Sequence, residues 1–400
     1  MIGRRATRKL LVGAAFGAAL AMVGASGLVP SPATSLVTAP PVRPRQFAAS
    51  PTGSTAAPTT GPTAPPPAGP TCAEVISGLP LRQRLAQLLM VGVDPGRVEP
   101  AMELARSVGV GGIFVGGNDT TLLVDNRLAA VRAAAGLPLA VGVDEEGGRV
   151  QRIDALDGDI PAARVMAATM TVEQVRVLAR QRGAALRARG VTIDFAPVVD
   201  VTEQPDGAVI GDRSFGADPN VVARYAGAFA DGLRDAGVLP VVKHFPGHGH
   251  ASGDSHESVA VTPPLTDLAA VDLVPYRRIL AGGPVAVMVG HLDVPGLTDG
   301  RPATLSPQTY RLLRDQLGFS GVAITDDLGG MRAVTARYPL PEAVVTALVA
   351  GADIAFWSSG DRVGEVLDVL EQAVTAGRLP TDRVTEALTR TLRAKGVCET

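Results

Sequence analysis

Eight short apolar runs, separated by longer stretches with helical periodicity, constrain the fold of this chain more than any other feature. The runs are Leu88–Val93, Val108–Val115, Leu137–Val143, Val191–Val198, Val238–Val242, Val285–Val289, Val322–Thr325 and Asp353–Trp357. The amphipathic stretches between them include Thr121–Ala135, Thr171–Arg189, Pro219–Ala236, Asp267–Ala281, Pro307–Leu317 and Arg362–Ala376. Continuous apolar strands that alternate with helices are typical of a parallel sheet buried on both faces.

This repeat predicts an α/β fold. Eight strand–helix units fit a single (β/α)8 barrel of the TIM type, and we place that domain at residues 71–400. An open, doubly wound sheet is the alternative. No G-x-G-x-x-G turn is present to favour a dinucleotide site in such a sheet.

The first 70 residues differ in composition from the rest of the chain. Residues 1–26 combine four basic residues with an apolar run from Leu10 to Val23, which predicts a signal peptide. A retained N-terminal anchor is the alternative. Residues 27–70 are dominated by Pro, Thr, Ala, Ser and Gly and predict a disordered linker, since they cannot bury enough apolar surface to offset their ordering entropy. We therefore expect an exported protein, secreted or associated with the cell wall or membrane surface.

Charge and composition narrow the range of partners. The formal net charge is −2 and aromatic residues make up 4% of the chain, so neither a basic surface excess nor a set of stacking rings indicates nucleic-acid binding. The two cysteines, Cys72 and Cys398, have no zinc-like spacing and lie near the two ends of the predicted domain. In an exported protein they can form a disulfide; two free thiols are the alternative.

Ionisable side chains follow five of the predicted strands. They occur at Asp144–Arg149, at Asp200, at Lys243–His244, at Gly290–Asp293 and at Thr325–Asp327. Because the active sites of (β/α)8 barrels lie at the carboxyl ends of the strands, we expect these side chains to converge on one pocket.

The stretch Val238–His256 begins as a buried strand, ends as a polar loop and holds four of the five histidines. His256 can act as a proton donor and acceptor, with Asp254 fixing its tautomer, on a loop that Gly247, Gly249 and Gly253 make flexible. A surface loop with solvated histidines is the alternative. The cluster could also bind zinc, but Pro246-Gly247 rules out a helical pair of ligands and a neighbouring lysine would repel the cation, so we expect no metal.

Asp326 and Asp327 follow the seventh strand, where side chains alternate in direction. One carboxylate can face the mouth of the barrel and attack an anomeric carbon, while the other supports a loop or a helix start. A helix N-cap is the alternative role for Asp326. Asp144, Arg213 and Lys243 suit charge-assisted hydrogen bonds to sugar hydroxyls, or alternatively salt bridges on the barrel rim.

These residues carry a resemblance to a known family. Lys243-His-Phe-Pro-Gly-His-Gly249, followed by Asp254-Ser-His256, resembles the signature of the glycoside hydrolase family 3 β-N-acetylhexosaminidases. Supporting stretches occur in the family's order at Val143–Arg152, Asp194–Asp200, Val209–Phe215, Pro302–Ser306 and Ile324–Leu328. The similarity extends over roughly residues 78–395.

The resemblance implies a retaining exo-β-N-acetylglucosaminidase acting on terminal β-linked N-acetylglucosamine, including muropeptide fragments of peptidoglycan. It implies Asp326 as the nucleophile and His256, paired with Asp254, as the acid/base. It also implies a set of residues that hold the sugar, namely Asp144, Arg213, Lys243 and His244. No metal or organic cofactor is implied, and we expect a monomer. A β-glucosidase of the same family and a non-catalytic cell-wall binding protein are the alternatives.

Overall fold

The computed structural model describes residues 69–399. The predicted signal peptide and nearly all of the predicted linker lie outside the described residues, so these two assignments and the domain boundaries stay predictions. No helix within the described part of the chain is long and apolar enough to cross a membrane.

Eight parallel strands form one sheet that curls into a nearly closed barrel. The strands are β1 (Leu89–Val93), β2 (Gly112–Val115), β3 (Ala140–Val143), β4 (Ile193–Asp194), β5 (Leu239–Phe245), β6 (Ala286–Val289), β7 (Ala323–Thr325) and β8 (Ala355–Trp357). Their order in the sheet is β8-β1-β2-β3-β4-β5-β6-β7. A single parallel bridge between Ile324 and Ile354 joins the two ends of this order. Each predicted apolar run overlaps one strand, although β5 extends three residues past its run to Phe245. The predicted α/β class and the parallel, nearly closed barrel are confirmed.

The second run yields a strand only in its last four residues, and the fourth is mostly irregular. β4 comprises Ile193 and Asp194 alone. Pro197 follows, and proline has no N–H to donate to a ladder. Pairing resumes only as an isolated bridge between Val198 and Lys243. The chain beyond β4 is therefore irregular backbone, and it carries several of the polar groups described below.

Helices cover the outside of the barrel. Their bounds are Cys72–Ser77, Leu81–Ala86, Val98–Glu103, Arg127–Ala134, Asp154–Asp157, Ala163–Thr169, Val172–Ala188, Pro219–Asp235, Leu265–Ala270, Leu273–Ile279, Pro307–Arg311, Arg332–Thr335, Leu340–Ala350, Val363–Thr375 and Thr381–Ala394. The two longest helices begin at side-chain caps. Thr171 and Gln174 form a capping box at the start of Val172–Ala188. Asp218, the residue before Pro219, accepts the Asn220 N–H at the start of Pro219–Asp235.

Two predicted helices are broken in the structure. The stretch 121–135 is a 3₁₀ turn followed by a helix from Arg127, because Asp125 and Asn126 adopt left-handed backbone angles. The stretch 267–281 is divided between two short helices at Val271 and Asp272. Asp272 is buried and faces the imidazole of His250, so a tertiary contact competes with helix continuity there.

Apolar side chains fill the interior of the barrel. Phe114, Phe195 and Phe356 form a cluster with ring centroids 5.0–5.3 Å apart. Met90 and Met288 belong to the same buried group. The interior is therefore a packed core, and polar chemistry is confined to the two ends of the barrel.

The two ends of the described chain are held together. The Sγ atoms of Cys72 and Cys398 are 2.08 Å apart and form a disulfide between residues separated by 326 positions. Thr71 and Glu399 pair in a parallel bridge beside it. The helix Cys72–Ser77 packs against the last helix, Thr381–Ala394.

Candidate active site

Polar side chains converge at the carboxyl ends of the strands, as the sequence predicts. These side chains belong to one site. In chain order they are Asp144 and Glu146 after β3, Asp200 and Arg213 after β4, Lys243 and His244 within β5, His248, Asp254 and His256 after β5, His291 after β6, and Asp326 after β7.

Four of these residues form a buried ion-pair network. Lys243 Nζ lies 2.6 Å from Asp144 Oδ1 and 2.6 Å from Glu146 Oε1. The Arg213 guanidinium donates to both carboxylate oxygens of Glu146, at 2.7 and 2.8 Å. The side chain of Lys243 is 3% exposed, whereas that of Asp144 is 22% exposed. Asp144 is therefore the member of this network that is open to a ligand.

Burial and opposite charge act against each other in this network. Burial disfavours the charged forms of Glu146, Lys243 and Arg213, but the neighbouring opposite charges outweigh it. The pKa of Glu146 consequently lies well below its usual range, and the pKa values of Lys243 and Arg213 lie above theirs. All three groups are charged at neutral pH, so the network presents fixed donors and acceptors.

The Asp200 carboxylate holds His244 near the end of β5 and His248 just after it by hydrogen bonds. Its Oδ2 lies 2.7 Å from His244 Nδ1, and its Oδ1 accepts the backbone N–H of His248 at 2.7 Å. Burial favours the neutral acid, but the neighbouring His244 ring and the hydrogen bonds outweigh burial and lower the pKa of Asp200. Because Asp200 occupies Nδ1 of His244, the Nε2 atom of that ring is the one available to a sugar hydroxyl.

Asp326 and Asp327 have different surroundings. Asp326 is 6% exposed, and within the described residues its carboxylate accepts one hydrogen bond, from the Asp327 N–H at 2.9 Å. The Asp327 carboxylate accepts the backbone N–H groups of Gly329, Gly330 and Ser358 and the Ser358 hydroxyl. Asp327 thus fastens the loop after β7 to the loop after β8, while one oxygen of Asp326 stays free.

Two histidine rings and a lysine lie around Asp326. Burial would raise the pKa of its carboxyl, but His291, His244, Lys243 and the Asp327 N–H outweigh burial and hold that pKa below its usual value. Asp326 is therefore ionised at neutral pH.

Asp254 and His256 form a hydrogen-bonded pair. The distance between His256 Nδ1 and Asp254 Oδ1 is 2.8 Å, and the same oxygen accepts the His256 backbone N–H at 2.9 Å. Burial opposes ionisation of Asp254, but its hydrogen bonds to His256 outweigh that and lower the pKa of the carboxyl. The His256 side chain is 57% exposed. Since Nδ1–H donates to Asp254, Nε2 is the atom that points to other partners.

The loop that carries His256 docks on the segment that follows Asp326. The Ser255 carbonyl accepts the Ala333 N–H at 3.2 Å, and the His256 carbonyl accepts the Arg332 N–H at 3.4 Å. Beneath the loop, His248 Nε2 lies 3.4 Å from the Ser255 hydroxyl. These contacts place the imidazole of His256 and the carboxylate of Asp326 at the same end of the barrel.

The glycines of this loop have two different roles. A Cβ on Gly249 would lie 2.0 Å from the Val201 carbonyl oxygen, and one on Gly247 would lie 2.5 Å from the Asp272 Cβ. Gly253 has no atom closer than 3.9 Å to such a Cβ. Close packing therefore explains the first two glycines, whereas Gly253 lies in open surroundings and has a φ of 98°, which glycine tolerates best.

Every predicted site residue lies at this end of the barrel. The predicted sugar-binding residues Asp144, Arg213 and Lys243 are joined through Glu146 in the ion-pair network, so the salt bridges of the alternative interpretation are present. Within residues 69–399, no group of three or more His, Cys, Asp or Glu side chains is arranged to hold a metal ion.

Three contributors were not assigned a role from the sequence: Glu146, Asp200 and His248. Glu146 stands in a run of three acidic residues, and strand alternation alone does not tell which of them points inward. Asp200 stands at a predicted strand end, and His248 stands within the histidine motif. Their positions were therefore visible in the sequence, but their hydrogen-bond partners were not.

Comparison with known proteins identifies the family of this chain. The chain matches the N-terminal domain of glycosyl hydrolase family 3 over residues 80–394. It is 51% identical over 360 residues to the β-hexosaminidase LpqI of Mycobacterium tuberculosis, in an alignment that covers 87% of this chain and 92% of that protein.

Solved structures give the same relationship. The M. tuberculosis LpqI structure has a TM-score of 0.80 at 52% identity and covers 82% of this chain and 97% of that chain. A family 3 glycosyl hydrolase from Mycobacterium smegmatis has a TM-score of 0.79 at 52% identity, covering 81% and 99%. A family 3 β-N-acetylglucosaminidase from Paenibacillus has a TM-score of 0.75 at 34% identity, covering 80% and 63%.

The chain therefore belongs to glycosyl hydrolase family 3. Within that family it is a β-hexosaminidase closely related to LpqI. The resemblance identified from the histidine motif is confirmed.

Proposed function

We propose that this β-hexosaminidase is a retaining exo-β-N-acetylglucosaminidase that removes terminal β-linked N-acetylglucosamine through a glycosyl-aspartate intermediate. Asp326 is the nucleophile, His256 is the acid/base, and Asp254 orients the imidazole. Asp144, Arg213, Lys243 and His244 hold the sugar. The substrates are muropeptide fragments of peptidoglycan, which an exported enzyme meets in the cell envelope.

The observation that carries this proposal is the free oxygen of Asp326. Two other buried carboxylates at this end of the barrel, Glu146 and Asp200, are held by cations or by hydrogen bonds. Asp326 is ionised, buried and bonded through one oxygen only. An unpaired carboxylate at the mouth of a barrel is suited to attack an anomeric carbon.

The reaction has two balanced steps. In the first, an Asp326 oxygen forms a bond to the anomeric carbon, the glycosidic bond breaks, and protonated His256 gives its Nε2 proton to the departing oxygen. In the second, neutral His256 takes a proton from water, the water oxygen bonds to the anomeric carbon, and Asp326 leaves as a carboxylate. Asp254 stabilises the imidazolium through Nδ1–H in each cycle.

A comparison of chromogenic substrates tests the assignment. We expect the purified protein to release p-nitrophenol from the β-N-acetylglucosaminide far faster than from the β-glucoside. The reverse order would support the β-glucosidase alternative, and no release from either would support a binding protein. Proton NMR of the first-formed sugar completes the test, since initial appearance of the α-anomer would contradict retention.

A further inference from the structure

A second cavity lies at the opposite end of the barrel from the active site. Its volume is about 240 Å³. The lining includes Ala140 at the start of β3, Leu239 at the start of β5 and Val322 just before β7. Since parallel strands all begin at one end of the barrel, none of the catalytic groups described above borders this cavity.

Three basic side chains lie around the cavity: Arg132, Arg187 and Lys395. They come from three different helical segments, the end of Arg127–Ala134, the end of Val172–Ala188 and the residue after Thr381–Ala394. Among the described residues none of the three makes an ion pair with a carboxylate. By contrast, the guanidinium groups of Arg314, Arg383 and Arg390 all pair with the Asp353 carboxylate.

Two buried polar atoms in the lining also have no hydrogen-bond partner within residues 69–399. Arg132 Nε and Thr391 Oγ1 are buried without a hydrogen bond. Lys395 Nζ donates to Gln87 Oε1 at 2.9 Å, a neutral acceptor. Buried polar groups without partners are costly, so a ligand that supplied acceptors here would be stabilised.

Burial disfavours the charged forms of two of these groups. Burial and the nearby Arg187 lower the pKa of Arg132, and burial lowers the pKa of Lys395 to about 7. A bound anion would offset this effect and favour the charged form of Lys395.

The floor of the cavity is apolar. It consists of barrel-interior side chains, namely Ile193, Leu239, Val322, Ile324 and Ile354. The cavity therefore combines a cationic rim with an apolar floor, which suits a ligand with an anionic head and a short apolar body.

We propose that this cavity binds a small organic anion, whose carboxylate or phosphate accepts from Arg132, Arg187 and Lys395 and whose apolar part packs on the floor of the barrel. The site is separate from the catalytic mouth and does not depend on the proposed glycosidase activity.

Calorimetric titration of the purified protein at low ionic strength tests this site, with hexanoate, hexyl phosphate and hexanol as probes. We expect one-to-one binding of at least one anion, tighter than that of hexanol; the anion that binds identifies the head group. If neither anion bound more tightly than hexanol, the proposal would be overturned.

Substitutions at residues that line the cavity test whether the anion binds there. We expect Lys395→Met and Arg187→Gln each to weaken anion binding by on the order of tenfold, the effect of losing one charge-assisted hydrogen bond. Arg393→Gln is the matched control, because it removes a charge from the same end of the last helix at a residue that does not line this cavity. Unchanged binding in both test variants, or competitive inhibition of p-nitrophenol release by the anion, would contradict the assignment.

Discussion

At the scale of single residues, the adjacent carboxylates of Asp326 and Asp327 show how position decides chemistry. Asp327 accepts several N–H groups and is committed to loop structure, whereas Asp326 keeps one oxygen free. The sequence predicts that the two side chains diverge, because neighbours in a strand point in opposite directions. Only the structure tells which one is tied down.

Asp326→Asn removes the nucleophilic charge with little change in shape. We expect kcat to fall by about 10³-fold or more, while the thermal unfolding midpoint changes little. Steady-state release of p-nitrophenol measures the loss. Asp327→Asn is the control: it loosens the two loops, so a moderate fall with partial activity is expected there. Wild-type turnover in Asp326→Asn would remove Asp326 from the mechanism.

The ionisation of Asp326 also predicts a pH dependence. Because its pKa lies below the usual value of about 3.9, the nucleophile stays charged down to that range and activity is lost only as pH falls through the lowered pKa. We expect the acid limb of kcat/KM below pH ~4, in a range where circular dichroism still shows folded protein. An acid limb centred well above that value in folded protein would contradict this.

His256→Ala tests the proton donor. We expect turnover of substrates with poor leaving groups to fall by about 10²–10⁴-fold. A dinitrophenyl leaving group needs no protonation, so formation of the glycosyl-enzyme from that substrate should be affected much less, as a pre-steady-state burst would reveal. Equal losses for both substrates would indicate a structural role for the loop instead.

At the scale of elements, Glu146 joins β3 to β5 and to the segment after β4 through Lys243 and Arg213. Breaking a buried network by removing one partner leaves the other charges uncompensated. We expect Glu146→Gln to destabilise the fold by about 3–5 kcal/mol in urea denaturation. Asp144→Asn is the matched control; it also contacts Lys243 but is more exposed, so its cost should be clearly smaller. Equal losses of stability in the two variants would contradict the central position of Glu146 in the ion-pair network.

The elements show which features a sequence can reveal. Apolar runs predicted all eight strands, and the ionisable residues that follow them predicted the site, because both depend on local pattern and barrel geometry. The break at Asp125–Asn126 depends on left-handed backbone angles, and the break at Asp272 depends on a contact with His250, 22 residues away. A local pattern of apolar residues reveals neither. The packing roles of Gly247 and Gly249 likewise required knowledge of the opposing segment.

At the scale of the whole molecule, the disulfide between Cys72 and Cys398 connects the two ends of the described chain. A cross-link between such distant residues restricts the unfolded chain strongly. We expect the double variant Cys72→Ser, Cys398→Ser to lose about 2–4 kcal/mol of stability with unchanged kcat/KM. Calorimetry measures the shift, and wild-type protein treated with reductant should match it. A large loss of kcat/KM in a folded double variant would contradict our expectation that this disulfide, at the opposite end of the barrel from the active site, does not affect catalysis.

The disulfide also fixes an orientation. Lys395 borders the cavity where the strands begin, and Cys398 follows it three residues later beside Cys72. The two ends of the described chain therefore lie side by side at the base of the barrel, and the catalytic mouth opens the other way. Immobilising the protein through either end of residues 69–399 would leave that mouth open to bulky glycans.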